Sequence, residues 1–246
     1  MAKRLLICLL CAGSLSAFAE ELRWGFGPLD GMPYVDVESQ QLVGGFTLLL
    51  GQRVGQRLGL QVRFIEAPNN RLESFLLQGR IQLICNANPA WLGPSARLHW
   101  SAPLYEEEDV LLQHVRQPAF SDLASLRGKT IGTSLGFVYS AALMAAFADG
   151  SVVRKDVRDL ETRLHMLALR RLDAVIDMRR PLTYRLAREP DLPLRFSPWV
   201  VQRYNMHCVY GEPLPIAAER LDEILQEMRD SGEIRALLLQ AERRLH

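Results

Sequence analysis

The sequence predicts an α/β fold built from two lobes, and three observations support this prediction. Strand-like and helix-like segments alternate along most of the chain. The alternation occurs twice, in two stretches of about 95 residues each, which is within the usual size range of domains. The 246 residues are 48% hydrophobic and 23% charged, an ordinary globular composition that supplies enough apolar side chains for a sizeable core.

The first nineteen residues have the pattern of a secretory signal peptide. Lys3 and Arg4 precede an apolar stretch, Leu5–Leu15, and the small residues Ala17 and Ala19 occupy the cleavage positions. A membrane anchor is the alternative, but the stretch is shorter than the ~20 residues of a spanning helix. We therefore expect residues 1–19 to be removed by cleavage after Ala19 and the mature protein to be secreted.

The first α/β unit has the order strand, helix, strand, helix, strand. Apolar alternation predicts the strands, helical spacing of leucines predicts the helices, and Gly59 and Gly79 stand where the two helices end. The predicted elements are Leu22–Gly27, Phe46–Leu58, Gln61–Ile65, Leu72–Leu77 and Ile81–Cys85. Such alternation implies a parallel sheet with helices on its faces and a ligand site at the carboxyl ends of the strands.

The second unit repeats the pattern, and a helical segment follows it. Its predicted elements are a strand at Thr130–Thr133, an apolar helix at Tyr139–Ala148, a helix at Leu160–Arg171 and a strand at Asp173–Asp177. The segment Pro215–Leu245 is helical by its apolar spacing, with an interruption at Ser231-Gly232.

Charge and motifs exclude several classes of function. The 29 Lys and Arg residues nearly balance the 28 Asp and Glu residues, and no basic run offers a phosphate-binding face. No Gly-Lys-Ser/Thr phosphate loop or Gly-x-Ser-x-Gly elbow occurs, and the five histidines lack metal-ligand spacing. We therefore expect no metal, no cofactor and no nucleic-acid partner.

Two cysteines, Cys85 and Cys208, remain after removal of residues 1–19. An exported protein can form a disulfide between them, whereas two buried free thiols also fit, because both residues lie in strand-like apolar runs.

The order of several short motifs resembles the amino-acid type of periplasmic solute-binding proteins, family 3 of the bacterial extracellular binding proteins. The resemblance covers nearly the whole mature chain, and each motif alone is weakly specific. The motifs are Pro33-Tyr34, Leu42–Phe46, Leu98–Tyr105, Leu123–Gly132, Arg171–Asp177 and Arg229–Ile234.

This resemblance implies the type II periplasmic binding protein fold. In that fold each lobe is a mostly parallel sheet flanked by helices, and two crossover strands join the lobes. Here lobe 1 would comprise 20–110 and 204–246, and lobe 2 would comprise 111–203. The returning crossover would place Cys85 and Cys208 on neighbouring strands. Glu106–Glu108 would be a solvated run at the hinge edge.

The resemblance also implies ligand-binding residues in lobe 1. Tyr34 corresponds to the aromatic residue that stacks on the ligand in the family, although a surface tyrosine is the alternative. Asn70 and Arg71 open the second helix, where Arg71 could grip a carboxylate and Asn70 could simply cap the helix.

The loop after the third strand supplies further candidates. Asn86 and Asn88 stand where the family hydrogen-bonds its ligand, although asparagines also form turns. Trp91 either walls the cleft or covers the core of the lobe.

The sequence departs from the family at two positions that hold the substrate carboxylate. The family's arginine corresponds to Pro94, and Arg97 is a candidate replacement or a surface charge. In lobe 2 the family's hydroxyl pair falls on Phe137-Val138, after Ser134 and Gly136, where backbone N–H groups could still bind an anion.

Asp177, by contrast, corresponds to the family acid that pairs with the substrate ammonium. The alternative is an internal salt bridge to Arg179 or Arg180.

Together these features predict a monomeric binding protein rather than an enzyme. It would capture a small polar solute, amino-acid-like or an amine, by lobe closure and present the closed form to an inner-membrane ABC permease or a membrane sensor. The alternative is a periplasmic dehydratase of the cyclohexadienyl dehydratase type, which has the same fold and would need a cleft carboxylate such as Asp177 to eliminate water.

Overall fold

The computed structural model describes residues 20–93 and 97–243, so the predicted signal peptide and Pro94 lie outside the described residues. No helix within these two ranges is long and apolar enough to cross a membrane.

The chain begins with one α/β unit and a long strand. Its elements are β1 (Glu21–Phe26), β2 (Asp36–Glu38), β3 (Gln41–Gly44), α1 (Phe46–Leu58), β4 (Gln61–Glu66), α2 (Leu72–Leu77), β5 (Leu83–Ala87), β6 (Leu98–Trp100) and β7 (Tyr105–His114).

The remaining elements form a second unit, a second long strand and a pair of helices. They are β8 (Thr130–Thr133), α3 (Ala141–Ala148), β9 (Val153–Asp156), α4 (Leu160–Ala168), β10 (Ala174–Met178), α5 (Arg179–Arg188), β11 (Leu194–Gly211), α6 (Ala218–Asp230) and α7 (Glu233–Arg243).

The strands form two sheet regions that are joined through the pairing of β7 with β11. In the first region, which we call lobe 1, the order is β4-β1-β5-β11, with β6 also on β11, and β1 is parallel to β4 and β5. In the second, which we call lobe 2, the order is β7-β10-β8-β9, with β8 parallel to β9 and β10. The predicted two-lobed α/β fold with mostly parallel sheets is therefore confirmed.

Two long antiparallel strands connect the lobes. β11 pairs with β7 from Leu194 to Met206 and then continues to pair with β5 from His207 to Tyr210. Both strands extend beyond the crossovers that the resemblance implies near Tyr105–Val110 and Tyr204–His207. The lobe boundaries at residues 110 and 204 stay a prediction.

Helix α1 shows how the sequence specifies one element. Phe46, Leu50 and Val54 recur every four residues and are fully buried, which fixes one face of the helix against the sheet of lobe 1. Gly59 ends the helix with φ of 69°, a conformation that glycine adopts without steric cost. Both the bounds and the terminator of this helix agree with the prediction.

Several predicted bounds are wrong by two or three residues. The third strand begins at Leu83 rather than Ile81. Helix α3 begins at Ala141 because the Ser140 side chain accepts a hydrogen bond from the Leu143 backbone N–H and caps it. The prediction also missed β2, β3, β9 and α5, whose sequences are short or strongly charged.

Each lobe has its own hydrophobic core. Lobe 1 packs β1, β5 and β11 against α1, α6 and α7, and lobe 2 packs its sheet against α3 on one face and α4 on the other. The partly buried ring of Phe137 contacts both cores, so the loop that carries it lies where the lobes meet.

Candidate functional site

A cleft lies between the lobes and is bounded by the carboxyl ends of β1 and β5, the two connecting strands and the loop between β8 and α3. Side chains from both lobes and from the connecting strands line it. The described lining residues are Gly27, Asp30, Asn69, Leu72, Ile84, Asn86, Ala87, Trp91, Leu92, Asp109, Gly136, Phe137, Val138, Tyr139, Met178 and Tyr204. Two of them are acidic, and this described set contains no Lys, Arg or His.

Asp30 follows β1 in the loop of lobe 1 and is nine-tenths buried. Asn86 Nδ2 donates a hydrogen bond to its Oδ2 atom at 3.2 Å, and the Asn69 side chain also hydrogen-bonds it. Burial raises the pKa of Asp30 to about 7 even though these neutral donors favour its ionised form. Asp30 has no salt-bridge partner among the described residues.

Asp109 lies on β7, between the lobes, and is 3% exposed. Tyr204 Oη and Gln202 Nε2 on the neighbouring strand β11 donate to its two oxygens at 2.8 and 2.6 Å. Burial raises the pKa of Asp109 to about 7, and the nearby Asp177 and Glu107 also raise it. In the described ranges, Asp109 likewise has no cationic partner.

Aromatic rings complete the wall beside the two carboxylates. Trp91 and Tyr204 pack edge to face with ring centroids 5.4 Å apart, and both line the cleft. Phe137 and Tyr139 line it from lobe 2. Ring faces attract organic cations and also provide apolar surface, so these rings complement the two acids chemically.

The lobes are in contact at the mouth of the cleft. A Cβ atom added to Gly136, which has φ of 79°, would lie 3.4 Å from the backbone nitrogen of Asn70 and 3.7 Å from Cβ of Asn69. The loop of lobe 2 therefore touches the turn of lobe 1 that precedes α2. The cleft has a volume of about 60 Å³, which is space for roughly four to six water molecules. The lobes therefore touch at this point and leave room for a small solute between them.

Four of the ten ligand residues predicted from sequence line this cleft: Asn86, Trp91, Gly136 and Phe137. Asn86 has φ of 63° at the end of β5, accepts from Tyr105 Oη at 2.6 Å and donates to Asp30. It therefore positions Asp30 as well as facing the cleft.

Tyr34 requires a correction, because it is buried in the core of lobe 1 rather than facing a ligand. Its side chain is 0% exposed, its ring stacks on Tyr105, and its hydroxyl donates to Glu107. Glu107 also accepts from Arg180 at 2.8 Å and is 2% exposed, so the acidic run is not simply solvated.

Asp177 requires a second correction. Its Oδ2 atom accepts from Arg163 Nη2 at 2.6 Å, and its Oδ1 atom accepts from the backbone N–H of Met178. Both members of this ion pair are almost fully buried, and Asp177 is not among the described lining residues. The partner is Arg163 of α4 rather than Arg179 or Arg180. The carboxylate assigned to the substrate ammonium, or to dehydratase chemistry, is therefore occupied within lobe 2.

The other four predicted residues also lie outside the cleft lining. The side chains of Asn70 and Arg71 are exposed on the turn before α2. Asn88 caps the following turn by accepting from Ala90 N–H and donates to the Asn205 carbonyl. Ser134 is buried beneath the loop of lobe 2.

Of the two candidate arginine replacements, Arg97 is also exposed, and neither it nor Arg71 is in the described lining.

Sequence reasoning missed Asp30 and Asp109, the most distinctive residues of the cleft. Asp30 stands in a Gly/Pro-rich loop that looks like a simple turn. Asp109 follows three glutamates, but period-two alternation along a strand places 107 and 109 on one face and 106 and 108 on the other. This alternation could have predicted that Glu107 and Asp109 share a face, and the structure shows that both are buried.

Cys85 on β5 and Cys208 on β11 are joined by a disulfide between these two neighbouring strands of lobe 1. Of the two alternatives that the sequence left open, the structure contains the bridge. The described residues contain no group of three His, Cys, Asp or Glu side chains that could hold a metal ion.

Solved structures share the fold of this chain over 89–92% of its length. The GluR0 ligand-binding core in complex with L-glutamate has a TM-score of 0.75 at 15% identity, covering 92% of this chain and 98% of that chain. An amino acid ABC transporter substrate-binding protein from Streptococcus pneumoniae bound to L-arginine has a TM-score of 0.75 at 16% identity, covering 92% and 95%. An ancestral arginine-binding protein bound to arginine has a TM-score of 0.73 at 18% identity, covering 89% and 97%.

No protein-family model matches the chain, and no curated protein matches it. The structural likenesses show that the chain has the two-lobed fold of these solute-binding proteins and ligand-binding cores, which agrees with the resemblance found in its sequence motifs.

Proposed function

We propose that this protein is a periplasmic receptor that captures a small polar solute, amino-acid-like or an amine, by closure of its two lobes. The closed form would then be presented to an ABC permease or to a membrane sensor. Export rests on the signal-peptide pattern of residues 1–19. The disulfide between Cys85 and Cys208 is compatible with an oxidising compartment.

The observation that carries this proposal is the pair of buried carboxylates in the cleft. Buried charges in proteins are normally paired with opposite charges or neutralised, because burial without a partner costs several kcal/mol. Asp30 and Asp109 have neutral donors but no described cation, and both line a cavity of solute size. A positively charged group on a bound solute would supply the missing partner.

Closure of the lobes on a solute would change the shape of the protein, and that change can be measured. The lining comes from both lobes and from β7 and β11, so a solute in the cleft contacts every part that moves in a hinge motion. A ligand shifts the open and closed populations only by its differential affinity for the two states. Lobe boundaries at residues 110 and 204 would place β7 and β11 at the hinge.

The experiment is a thermal-shift screen of the mature protein, residues 20–246, against amino acids, amines, polyamines, opines and prephenate. A ligand at 100 times its Kd should stabilise the protein by about 2.7 kcal/mol. For each ligand found, small-angle X-ray scattering measures the radius of gyration with and without the solute. We expect stabilisation by at least one nitrogenous solute and a smaller radius of gyration in its presence.

A substitution at the mouth of the cleft tests closure separately from binding chemistry. Asn70→Trp adds bulk where the turn of lobe 1 meets Gly136, so we expect the ligand-induced decrease in radius to disappear. Gln78→Trp, at the far end of α2, is the matched control. The receptor proposal would be contradicted if no solute of the panel stabilised the protein, or if the purified protein consumed prephenate.

A further inference from the structure

The charged side chains among the described lining residues of the cleft are both acidic. Asp30 enters from lobe 1 and Asp109 from a connecting strand, and Asn69, Asn86, Gln202 and Tyr204 hydrogen-bond them. All of these donors are neutral. A solute cation in this cleft would meet acidic side chains that hydrogen bonds already hold in place, and an ionised acceptor of this kind gives strong charge-assisted hydrogen bonds.

Among the described residues, the lining of this cleft gives an anion no basic side chain to pair with. The side-chain amides of Asn69 and Asn86 already bind Asp30. The carboxylate of an α-amino acid would therefore be buried near two acids without a cationic partner, which costs binding free energy and discriminates strongly between ligands.

The remaining wall is apolar. Leu72, Ile84, Leu92 and Met178 line the cleft together with the rings of Trp91 and Phe137. This surface favours a hydrocarbon body over a polyhydroxylated one. The cavity volume of about 60 Å³ favours a small body.

From these three observations we propose that the cleft selects a small aliphatic amine without a carboxylate, whose ammonium group lies between Asp30 and Asp109 and whose hydrocarbon body packs on Trp91 and its apolar neighbours. This inference rests on the proposed function, because it narrows the solute that lobe closure captures. It assigns the two acids as the residues that determine specificity.

The test compares amines with amino acids that differ from them only by the α-carboxylate. The matched pairs are isobutylamine with valine, 3-methylbutylamine with leucine, and putrescine with ornithine, each titrated calorimetrically at pH 8 into the mature protein. Isobutanol serves as the neutral isostere of isobutylamine. We expect at least one amine to bind at least 10-fold more tightly than its amino acid, and isobutanol to give no measurable heat.

Two isosteric variants test the assignment of the acids. We expect Asp30→Asn and Asp109→Asn each to weaken amine binding at least 10-fold, since each removes one charge while keeping the side-chain shape. Glu38→Gln, on the exposed hairpin of lobe 1, is the matched control and should bind as the unmodified protein does. Far-ultraviolet circular dichroism of each variant verifies that it is folded.

The possible failures are distinguishable. Amino acids that bind as tightly as their amines, or amine binding unaffected by both Asn substitutions, would overturn the amine inference while leaving lobe closure on a solute intact. Absence of binding by every member of the wider solute panel would overturn the proposed function itself.

Discussion

Two regions of this molecule bury carboxylates in opposite ways. In lobe 2, Asp177 is held by Arg163 at 2.6 Å, and both side chains are almost fully buried. In the cleft, Asp30 and Asp109 are comparably buried but accept hydrogen bonds only from neutral groups of the described chain. The residue type is the same and the burial is similar, so the partner alone distinguishes the regions.

The partner of a buried carboxylate is a physical criterion for distinguishing a structural acid from a candidate ligand-binding acid. A buried carboxylate that is paired with an internal arginine has its charge compensated in the folded protein. A buried carboxylate with neutral partners has a raised pKa and favours binding of an external cation. The family resemblance implies Asp177 as the acid that binds the ligand, whereas the pairing pattern supports our proposal that Asp30 and Asp109 do so.

The largest expected effect comes from breaking the internal pair. Arg163→Met leaves the Asp177 carboxylate buried with one backbone donor, that of Met178. Loss of one partner of a buried ion pair typically destabilises a protein by about 3–5 kcal/mol. We expect a loss of that size in the free energy of unfolding, measured by urea denaturation at pH 7.

Two further variants sharpen this prediction. Arg158→Met removes an exposed arginine nearby and should change stability by less than about 0.5 kcal/mol. The double variant Arg163→Met/Asp177→Leu removes both charges and should recover much of the loss. If Arg163→Met costs no more than Arg158→Met, the pair is not structural and the contrast with the cleft fails.

Substitution of the cleft acids should raise the free energy of unfolding, whereas substitution of Arg163 should lower it. Their pKa values are raised from 3.8 to about 7 by burial, so between pH 4 and pH 7 the folded protein binds more protons than the unfolded chain. The contribution of these acids to stability is therefore fully present below about pH 4 and is lost as pH rises to about 7.

We expect Asp30→Asn and Asp109→Asn to remove part of this pH dependence. At pH 8, where the acids are ionised and unpaired, each variant should be more stable than the unmodified protein without ligand by about 1–2 kcal/mol. At pH 4 the gain should vanish. Urea denaturation across this pH range measures both, with Glu38→Gln as the control. A loss of stability at pH 8 would show that the cleft acids are structural, like Asp177.

Much of the fold was predictable from the sequence because its longer elements have local apolar periodicity, whereas the crossover layout of the lobes came from the family resemblance. Helix α1 was predicted to the residue from the spacing of its leucines and from Gly59, and the order of α/β units was recognised in both lobes. Charged or short elements such as β9 and α5 were missed, because their apolar signal is weak and packing against the sheet decides them.

The site was only partly predictable because partner choice depends on tertiary geometry. Asn86 and Trp91 line the cleft, and both were predicted from the loop after the third strand, where the resemblance implies ligand contacts. The pairing of Asp177 with Arg163, fourteen residues earlier on another element, was not visible, since neighbouring arginines at 179 and 180 offered nearer alternatives. Tyr34 was similarly predicted to stack on a ligand, because the sequence does not show that its side chain is buried against Glu107.

The smallest expected effect concerns an ion pair that links the lobes but is solvated. Arg180 Nε donates to Glu242 Oε1 at 3.0 Å, and both side chains are about one-third exposed. Solvent screens such pairs, which contribute at most about 1 kcal/mol. Arg180 keeps its contact with Glu107 when Glu242 is replaced. We therefore expect Glu242→Gln to change the free energy of unfolding by less than about 1 kcal/mol, with a difference that shrinks in 0.5 M NaCl.

This outcome bears directly on the comparison of the two regions, because Glu242 and Asp177 are both paired with arginine and differ in burial. If burial and the loss of water make Asp177 indispensable, the exposed pair must be nearly neutral to substitution. A loss for Glu242→Gln as large as that for Arg163→Met would mean that pairing, rather than burial, controls stability in this protein. The unpaired cleft acids would then have to be explained by something other than an absent solute cation.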